Sequence, residues 1–311
     1  MDIDLVKNAC TDGACLACPR KCGARRSHQR GFCGASDKVS ISRISLHRWE
    51  EPPISAQNGS GTIFFTGCNL RCVFCQNRTI SSGADAFEGA LELTEDELYD
   101  AMLRLEAAGA HNINLVTPTH YVPMLAEVLK SAKKRLSIPI VYNSSGYDSV
   151  DSLRLLQGLV DVYLPDLKYF SSELSSKYSK APDYFEVASA ALCEMLRQVG
   201  EVRFEGDLIK KGMIVRHLVL PSCRADSIAL LDELARLLPI KRIRLSLMRQ
   251  FTPDFVDGEM YPELCRRLTS FEYSSVVKKA ESLGFEGYIQ GADSACSDYT
   301  PSFNCPEAFT T

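Results

Sequence analysis

Short, continuous apolar runs at regular intervals are the feature that most limits how this chain can fold. They occupy residues 62–66, 113–117, 138–142, 160–164, 213–220 and 243–247, with a shorter one at 288–289. Runs without polar alternation suit strands that are covered on both faces. Helix patterns lie between them. Thr94 and Glu97 form a capping box ahead of Leu98, Met102 and Leu105, and Gly109 stops that helix. Pro123 opens a second helix over 124–135, in the first-turn position that proline tolerates. Residues 148–156, 182–199, 226–238 and 271–283 carry similar patterns. Strand followed by helix, repeated about six times, predicts an α/β fold: a parallel sheet with right-handed crossovers, curled into a partial (β/α)6 TIM-type barrel. Chemistry in such a fold belongs at the C-terminal ends of the strands.

Composition sets the outer limits. The 311 residues amount to about two ordinary domains, or one barrel with an appendage. At 45% hydrophobic and 24% charged, the chain is neither fibrous nor largely disordered. It has no run of eighteen apolar residues and an acidic start, so neither a membrane span nor a signal peptide is expected. A cytoplasmic location follows as the expectation. The net charge of −4 argues against a nucleic-acid partner for the chain as a whole. Charge is nevertheless uneven: Arg20, Lys21, Arg25, Arg26, Arg30, Lys38, Arg43 and Arg48 crowd the N-terminal region and are expected to form a solvated basic face. The organisation read from this is a Cys-rich segment at 1–45, a barrel at 46–290 and a surface tail at 291–311.

Thirteen cysteines are present, and eight of them fall within the first 75 residues, where an even spread would place about three. Clustered thiols in a reducing compartment bind metal more readily than they pair. The later Cys193, Cys223, Cys265, Cys296 and Cys305 are scattered and read as buried small hydrophobes or idle thiols.

Cys68, Cys72 and Cys75 stand at C-x3-C-x2-C spacing directly after the first strand and Gly67. Three thiolates on one short loop can hold three irons of a 4Fe–4S cluster and leave the fourth iron for a small-molecule chelator. A structural zinc site would want a fourth close ligand, and none follows. The spacing, the preceding strand and the aromatic Phe74 resemble the radical S-adenosylmethionine (radical SAM) enzymes. Over residues 46–252 the chain is similar to the pyruvate formate-lyase activating enzyme-like branch. The phrases that carry this likeness are Ser60-Gly61-Thr62-Ile63-Phe64-Phe65-Thr66-Gly67-Cys68-Asn69-Leu70-Arg71-Cys72, Tyr142-Asn143-Ser144-Ser145-Gly146-Tyr147, Asp166-Leu167-Lys168 and Val215-Arg216-His217-Leu218-Val219-Leu220-Pro221. The resemblance implies that the three cysteines ligate the cluster and that SAM, cleaved reductively, yields a 5′-deoxyadenosyl radical for hydrogen abstraction. It also implies an electron donor such as flavodoxin or ferredoxin. The substrate, a protein or a small molecule, is not identified by the sequence.

The strand ends supply further candidates, with Phe74 beside the cluster loop. Asp166 and Lys168 are two apart, so their side chains leave one face. A plain ion pair is one reading, and the resemblance implies contacts to the ribose hydroxyls and carboxylate of SAM. Asn143 and Ser144 stand where the activating enzymes carry an acid and a threonine against the methionine moiety, although Asn-Ser-Ser-Gly is also a turn signal. Thr117 stands where the family carries a Gly-Gly-Glu that receives the SAM amino group. That motif is missing, which points away from the true activating enzymes, so activation of a glycyl-radical enzyme is kept as an alternative function. His120 is a substrate-side acid/base candidate or an idle loop residue. Adjacent Arg216 and His217 must face opposite ways, so only one enters the barrel. Gln250 matches a position near the adenine.

Cys15, Cys18, Cys22 and Cys33 offer four thiols within nineteen residues, enough for zinc or a second 4Fe–4S cluster, with Cys10 as a spare. A zinc-thiolate module that docks on nucleic acid or a partner is the distant alternative for the whole protein.

Overall fold

The structure, a computed structural model, describes residues 13–81, 85–295, 301 and 303. Cys10, Cys296, Cys305 and most of the expected tail lie outside the described residues. Ten strands share one sheet among the described residues. They are β1 (Val39–His47), β2 (Ser60–Phe65), β3 (Leu91–Leu93), β4 (Ile113–Val116), β5 (Ile140–Ser144), β6 (Val162–Pro165), β7 (Arg203–Glu205), β8 (Leu208–Leu218), β9 (Arg244–Met248) and β10 (Gly287–Ile289).

The order β10-β9-β8-β6-β5-β4-β2-β1-β3 keeps β2, β4, β5, β6, β8, β9 and β10 parallel and in chain order. This is the expected partial barrel, unclosed between its two edges. Strands β2, β4, β5 and β6 are buried at every residue, which is why they read as continuous apolar runs.

Helices cover the outer face. Helix Glu95–Ala107 has the capping box, with Glu97 N–H donating to Thr94 Oγ1 at 3.3 Å and Thr94 N–H to Glu97 Oε2 at 2.8 Å. It buries Leu98, Ala101, Met102 and Leu105, one stripe at helical spacing. Each large side chain so covered stabilises by about 1.5–3 kcal/mol. Helices Val122–Ala132, Val150–Leu155, Tyr184–Val199, Arg224–Leu237 and Ser270–Leu283 fall where the periodicity places them. Helix Ser172–Ser179 is additional.

Three strands lack a sequence signal. β1 pairs antiparallel with β2 and with β3, adding a two-strand flank, and it runs across residue 45. A register shift between Ile41 and Arg43 breaks its alternation. β7 is exposed throughout and makes a hairpin with the start of β8. Among the described residues no helix is long and apolar enough to cross a membrane.

Candidate active site

A cavity of about 660 Å³ runs through the barrel interior and is lined by the C-terminal ends of the parallel strands. Cys68, Cys72, Phe74, Cys75, Thr117, Asn143, Ser144, Asp166, Lys168, Arg216 and Gln250 all line it. Every candidate from the first-strand loop and the strand ends thus meets in one space, apart from the two histidines.

Backbone hydrogen bonds fix the cysteine loop. Val73 N–H donates to the Tyr178 carbonyl at 2.9 Å and Gly67 N–H to the Ile80 carbonyl at 2.8 Å. Gly67 has φ +91°, and a Cβ there would collide with the Cys33 carbonyl oxygen, so only glycine lets the N-terminal segment approach. Ser179 Oγ donates to Cys72 Sγ at 3.0 Å, and Cys75 Sγ lies 3.4 Å from Ser81 Oγ. Burial, and then Cys72 beside it, pushes the Cys68 thiol up to about 12. The Cys72 thiol is also raised, mainly by burial, while Lys168 opposes the shift. Phe74 packs edge-on against Tyr169 and Phe251 at centroid distances of 6.5 and 6.2 Å, which holds the loop to the barrel wall.

Opposite the thiols lies a buried charge network. Arg216 donates from Nε to Asp166 Oδ1 at 2.9 Å and from Nη2 to Asn143 Oδ1 at 2.6 Å. Its Nη1 reaches Glu50 Oε2 at 3.3 Å. Lys168 Nζ donates to Asp166 Oδ2 at 2.6 Å. Burial alone would raise the Asp166 pKa, but Arg216 and then Lys168 outweigh it and hold the carboxyl below its ordinary range. Burial likewise works against the charged form of Lys168, yet Asp166 and Cys72 keep its pKa above the usual value.

The remaining candidates are more committed to their neighbours. Asn143 Nδ2 donates to Glu50 Oε1 at 3.2 Å, so both ends of its amide are used. Ser144 Oγ donates to Asp148 Oδ2 at 2.6 Å, and that buried carboxylate also receives the hydroxyls of Tyr142 and Thr119, each at 2.7 Å. Gln250 shares its amide with Gln76 and Gln290, at 3.0 and 2.7 Å. Thr117 sits at φ +60°, a left-handed conformation that costs a β-branched residue strain.

Both histidines turn away. His217 is buried outside the cavity, with Nδ1 2.7 Å from the Leu167 carbonyl and Nε2 2.9 Å from Ser227 Oγ. Burial lowers its pKa to about 4. Arg216 is the member of that pair that enters the barrel. His120 is fully buried, with Nε2 2.9 Å from the Thr66 carbonyl, and burial followed by Arg26 lowers its pKa to about 3. Neither histidine is placed to exchange protons with a substrate in the cavity.

The N-terminal cysteines occupy a separate place. Cys15, Cys18 and Cys33 are buried and Cys22 is exposed. The sulfurs of Cys22 and Cys33 each lie 3.5 Å from the position a Cβ on Gly31 would take. None of the four thiols lines the cavity. Among the described residues no three Cys, His, Asp or Glu side chains are gathered tightly enough to hold a single ion.

The expected solvated basic face is partly overturned. Arg26 is 2% exposed and donates to the His120 carbonyl at 2.7 Å. Arg20 donates to the carbonyls of Asn69 at 2.8 Å, Ser179 at 3.3 Å and Lys180. Arg71 returns the contact to the Phe32 carbonyl. Multiple fixed donors make guanidinium a strut between two segments rather than a surface charge.

Sequence reasoning missed Trp49, Glu50 and Glu51, which follow β1 and line the cavity. An acidic pair before Pro52 and Pro53 reads as a surface turn, and no spacing rule marks it as internal.

Residues 62–215 match the Radical SAM superfamily model. An uncharacterised protein of Methanocaldococcus jannaschii is 29% identical over 295 residues, covering 92% of this chain and 79% of that protein. A second uncharacterised protein of the same organism is 23% identical over 299 residues, covering 88% and 82%. A solved structure of a spore photoproduct lyase variant has the same fold, with a TM-score of 0.50 at 12% identity over 79% of this chain and 81% of that one.

Proposed function

Because this chain belongs to the radical SAM superfamily, we propose that its barrel cavity is a radical site in which Cys68, Cys72 and Cys75 hold a 4Fe–4S cluster and the facing strand ends hold SAM. The observation that carries this is the convergence of three thiols from one loop with a buried cation–carboxylate network on a single cavity. A reduced cluster with SAM supplies a 5′-deoxyadenosyl radical able to take hydrogen from carbon.

The donor set fits the cluster. A cluster takes one thiolate per iron, so its ligands need not converge on one point, and among the described residues no fourth cysteine lines the cavity. Burial favours the protonated thiols of Cys68 and Cys72 on their own, so their ligation is coupled to proton release. Lys168, which faces Cys72, offsets part of the charge that thiolates bring.

Asp166 is held ionised by Arg216 and Lys168, and so can accept hydrogen bonds from ribose hydroxyls, while Lys168 can donate to a carboxylate. Asn143 lines the same space with its amide fixed between Arg216 and Glu50 and its carbonyl taken by Thr117 N–H, and so contributes shape. Arg216 acts through these groups and is a positioning residue. Ser144 and Gln250, whose side chains are already engaged, and Thr117, whose backbone is left-handed, line the walls and contribute shape. Phe74 shields the loop.

The four N-terminal thiols are proposed to hold a second metal centre, zinc or a cluster, supported by their spacing and by the burial of three of them; a zinc ion would need them drawn closer than they stand here. An electron donor of the flavodoxin or ferredoxin kind and a protein or small-molecule substrate complete the reading. Anaerobic reconstitution followed by dithionite and SAM tests it. Methionine and 5′-deoxyadenosine should form with the native chain and not with Cys72→Ala. Equal cleavage by both proteins would refute the assignment.

A further inference from the structure

The lower part of the cavity, below the charge network, has a chemistry of its own. Because β1 runs antiparallel to β2, its end at His47 lies beside the start of β2 at Ser60, so residues 48–52 cross the floor of the barrel. Two adjacent acids from this crossing point inward. Glu50 is fully engaged: Oε1 accepts from Asn114 Nδ2 at 3.0 Å and from Asn143 Nδ2 at 3.2 Å, and Oε2 meets Arg216. Glu51 is different. It is 9% exposed and lines the cavity; Ser246 and its own backbone N–H hydrogen-bond the carboxyl, but Oε2 is buried with no hydrogen-bond partner among the described residues.

The charges there do not balance. Among the largely covered groups lining the cavity, the three acids Glu50, Glu51 and Asp166 stand against two cations, Lys168 and Arg216, with Arg48 exposed at its edge; burial raises the pKa of Glu50 and Glu51, and Arg216 opposes that rise. Lys168 and Arg216 are both bonded to Asp166, and Arg216 also to Glu50. A buried carboxylate oxygen without a donor is costly unless a ligand supplies one. Trp49 and Tyr288 line the same cavity, and aromatic faces favour a cation over a neutral or anionic group. Burial raises the Tyr288 pKa, Arg244 opposes the rise and Glu51 adds to it, which places both charged groups within electrostatic reach of the ring.

We infer that the cavity floor is a subsite for a cationic group of the substrate, a primary ammonium or a guanidinium, which donates to Glu51 Oε2 beside Trp49 and Tyr288. This rests on the reading of the cavity as the radical site and adds a substrate class to it: an amine- or guanidine-bearing molecule or side chain, with its charged end at the floor and its reacting carbon toward the cysteine loop. Asp166 is not suited to a further cation, since Lys168 and Arg216 already balance its charge, although its oxygens can still accept from neutral hydroxyls.

Binding of butylammonium, 1-butanol and butyrate to the anaerobically reconstituted full chain, followed by calorimetric titration, tests the subsite without requiring turnover. Butylammonium should bind at least tenfold more tightly than butanol, with butyrate weakest. Glu51→Gln should remove that preference, while Glu51→Asp, which keeps the charge, should lose less. A thermal melt of each variant shows that it is folded. Equal binding of ammonium and alcohol to the native chain would overturn the inference. So would loss of SAM binding in Glu51→Gln, since Glu51 would then serve SAM. Because the probe titration does not read SAM cleavage, its failure is distinct from failure of the radical reading, which the Cys72→Ala comparison reports.

Discussion

Two sets of thiols lie on either side of Gly67 and meet opposite surroundings. Cys68, Cys72 and Cys75 border an interior cavity and face Lys168, Asp166 and Arg216. Cys15, Cys18, Cys22 and Cys33 border no described cavity and are braced by Arg20 and Arg26, which hold backbone carbonyls of the barrel. Placement, rather than cysteine count, separates a site that can admit a substrate from one that can only tie segments together or pass charge. The two are nonetheless in contact, since the Cys33 carbonyl lies against Gly67.

The largest effect expected is on the cavity set. Replacing Cys68, Cys72 and Cys75 with alanine should abolish SAM cleavage while leaving the fold intact, as circular dichroism would show. Next comes Asp166→Asn, which leaves Lys168 and part of Arg216 buried beside a neutral group. It should cost about 3 kcal/mol, the lower end for a broken buried pair because Arg216 keeps Glu50 and Asn143. Chemical denaturation would read that loss, and titration with SAM would show weaker binding.

The junction between the two sets is tested by Gly67→Ala. A Cβ at φ +91° is strained and meets the Cys33 carbonyl, so the variant should lose at least about 1 kcal/mol. Protease cleavage within residues 13–38 should also speed up. An N-terminal segment that stays equally protected would show that the close approach does not hold it.

Acid should act on the barrel rather than on either thiol set. The folded-state pKa of His217 and of His47 is lowered to about 4, chiefly by burial, with Arg43 adding to it at His47. The unfolded chain takes up these protons near pH 6.5 and the folded one does not. Their contribution is therefore complete above about pH 6.5 and is lost as pH falls toward 4. Urea midpoints measured from pH 8 to 4.5 should decline over that window, and His217→Asn should flatten the decline. The smallest effect is expected from Thr117→Gly, which relieves left-handed strain but loosens the unfolded chain, for a net gain of about 1 kcal/mol or less. A melting temperature higher by roughly 2–4 °C would check it.

Legibility in the sequence followed burial. β2, β4, β5 and β6 are covered on both faces, and each shows as an apolar run. β1 did not show, because its bulge between Ile41 and Arg43 interrupts the alternation that a one-sided strand needs. The strand-end candidates could be placed because the order of strands places them, as Asp166, Lys168 and Arg216 demonstrate. Glu50 and Glu51 could not, since their inward turn depends on where β1 ends relative to β2. Arg20 and Arg26 were equally hidden. Their partners are backbone carbonyls far along the chain, which carry no sequence signature.

The most direct measurement is iron and zinc content with SAM cleavage, taken together on three anaerobically reconstituted proteins. These are the native chain, the Cys68→Ala/Cys72→Ala/Cys75→Ala variant and the Cys15→Ser/Cys18→Ser/Cys22→Ser/Cys33→Ser variant. The account predicts that the cavity variant loses about four irons and all cleavage. The N-terminal variant should lose a different metal complement, either zinc or a second set of irons, while keeping the iron of the cavity set. Cleavage that survives in the cavity variant, or a native chain that binds zinc and no iron, would contradict it.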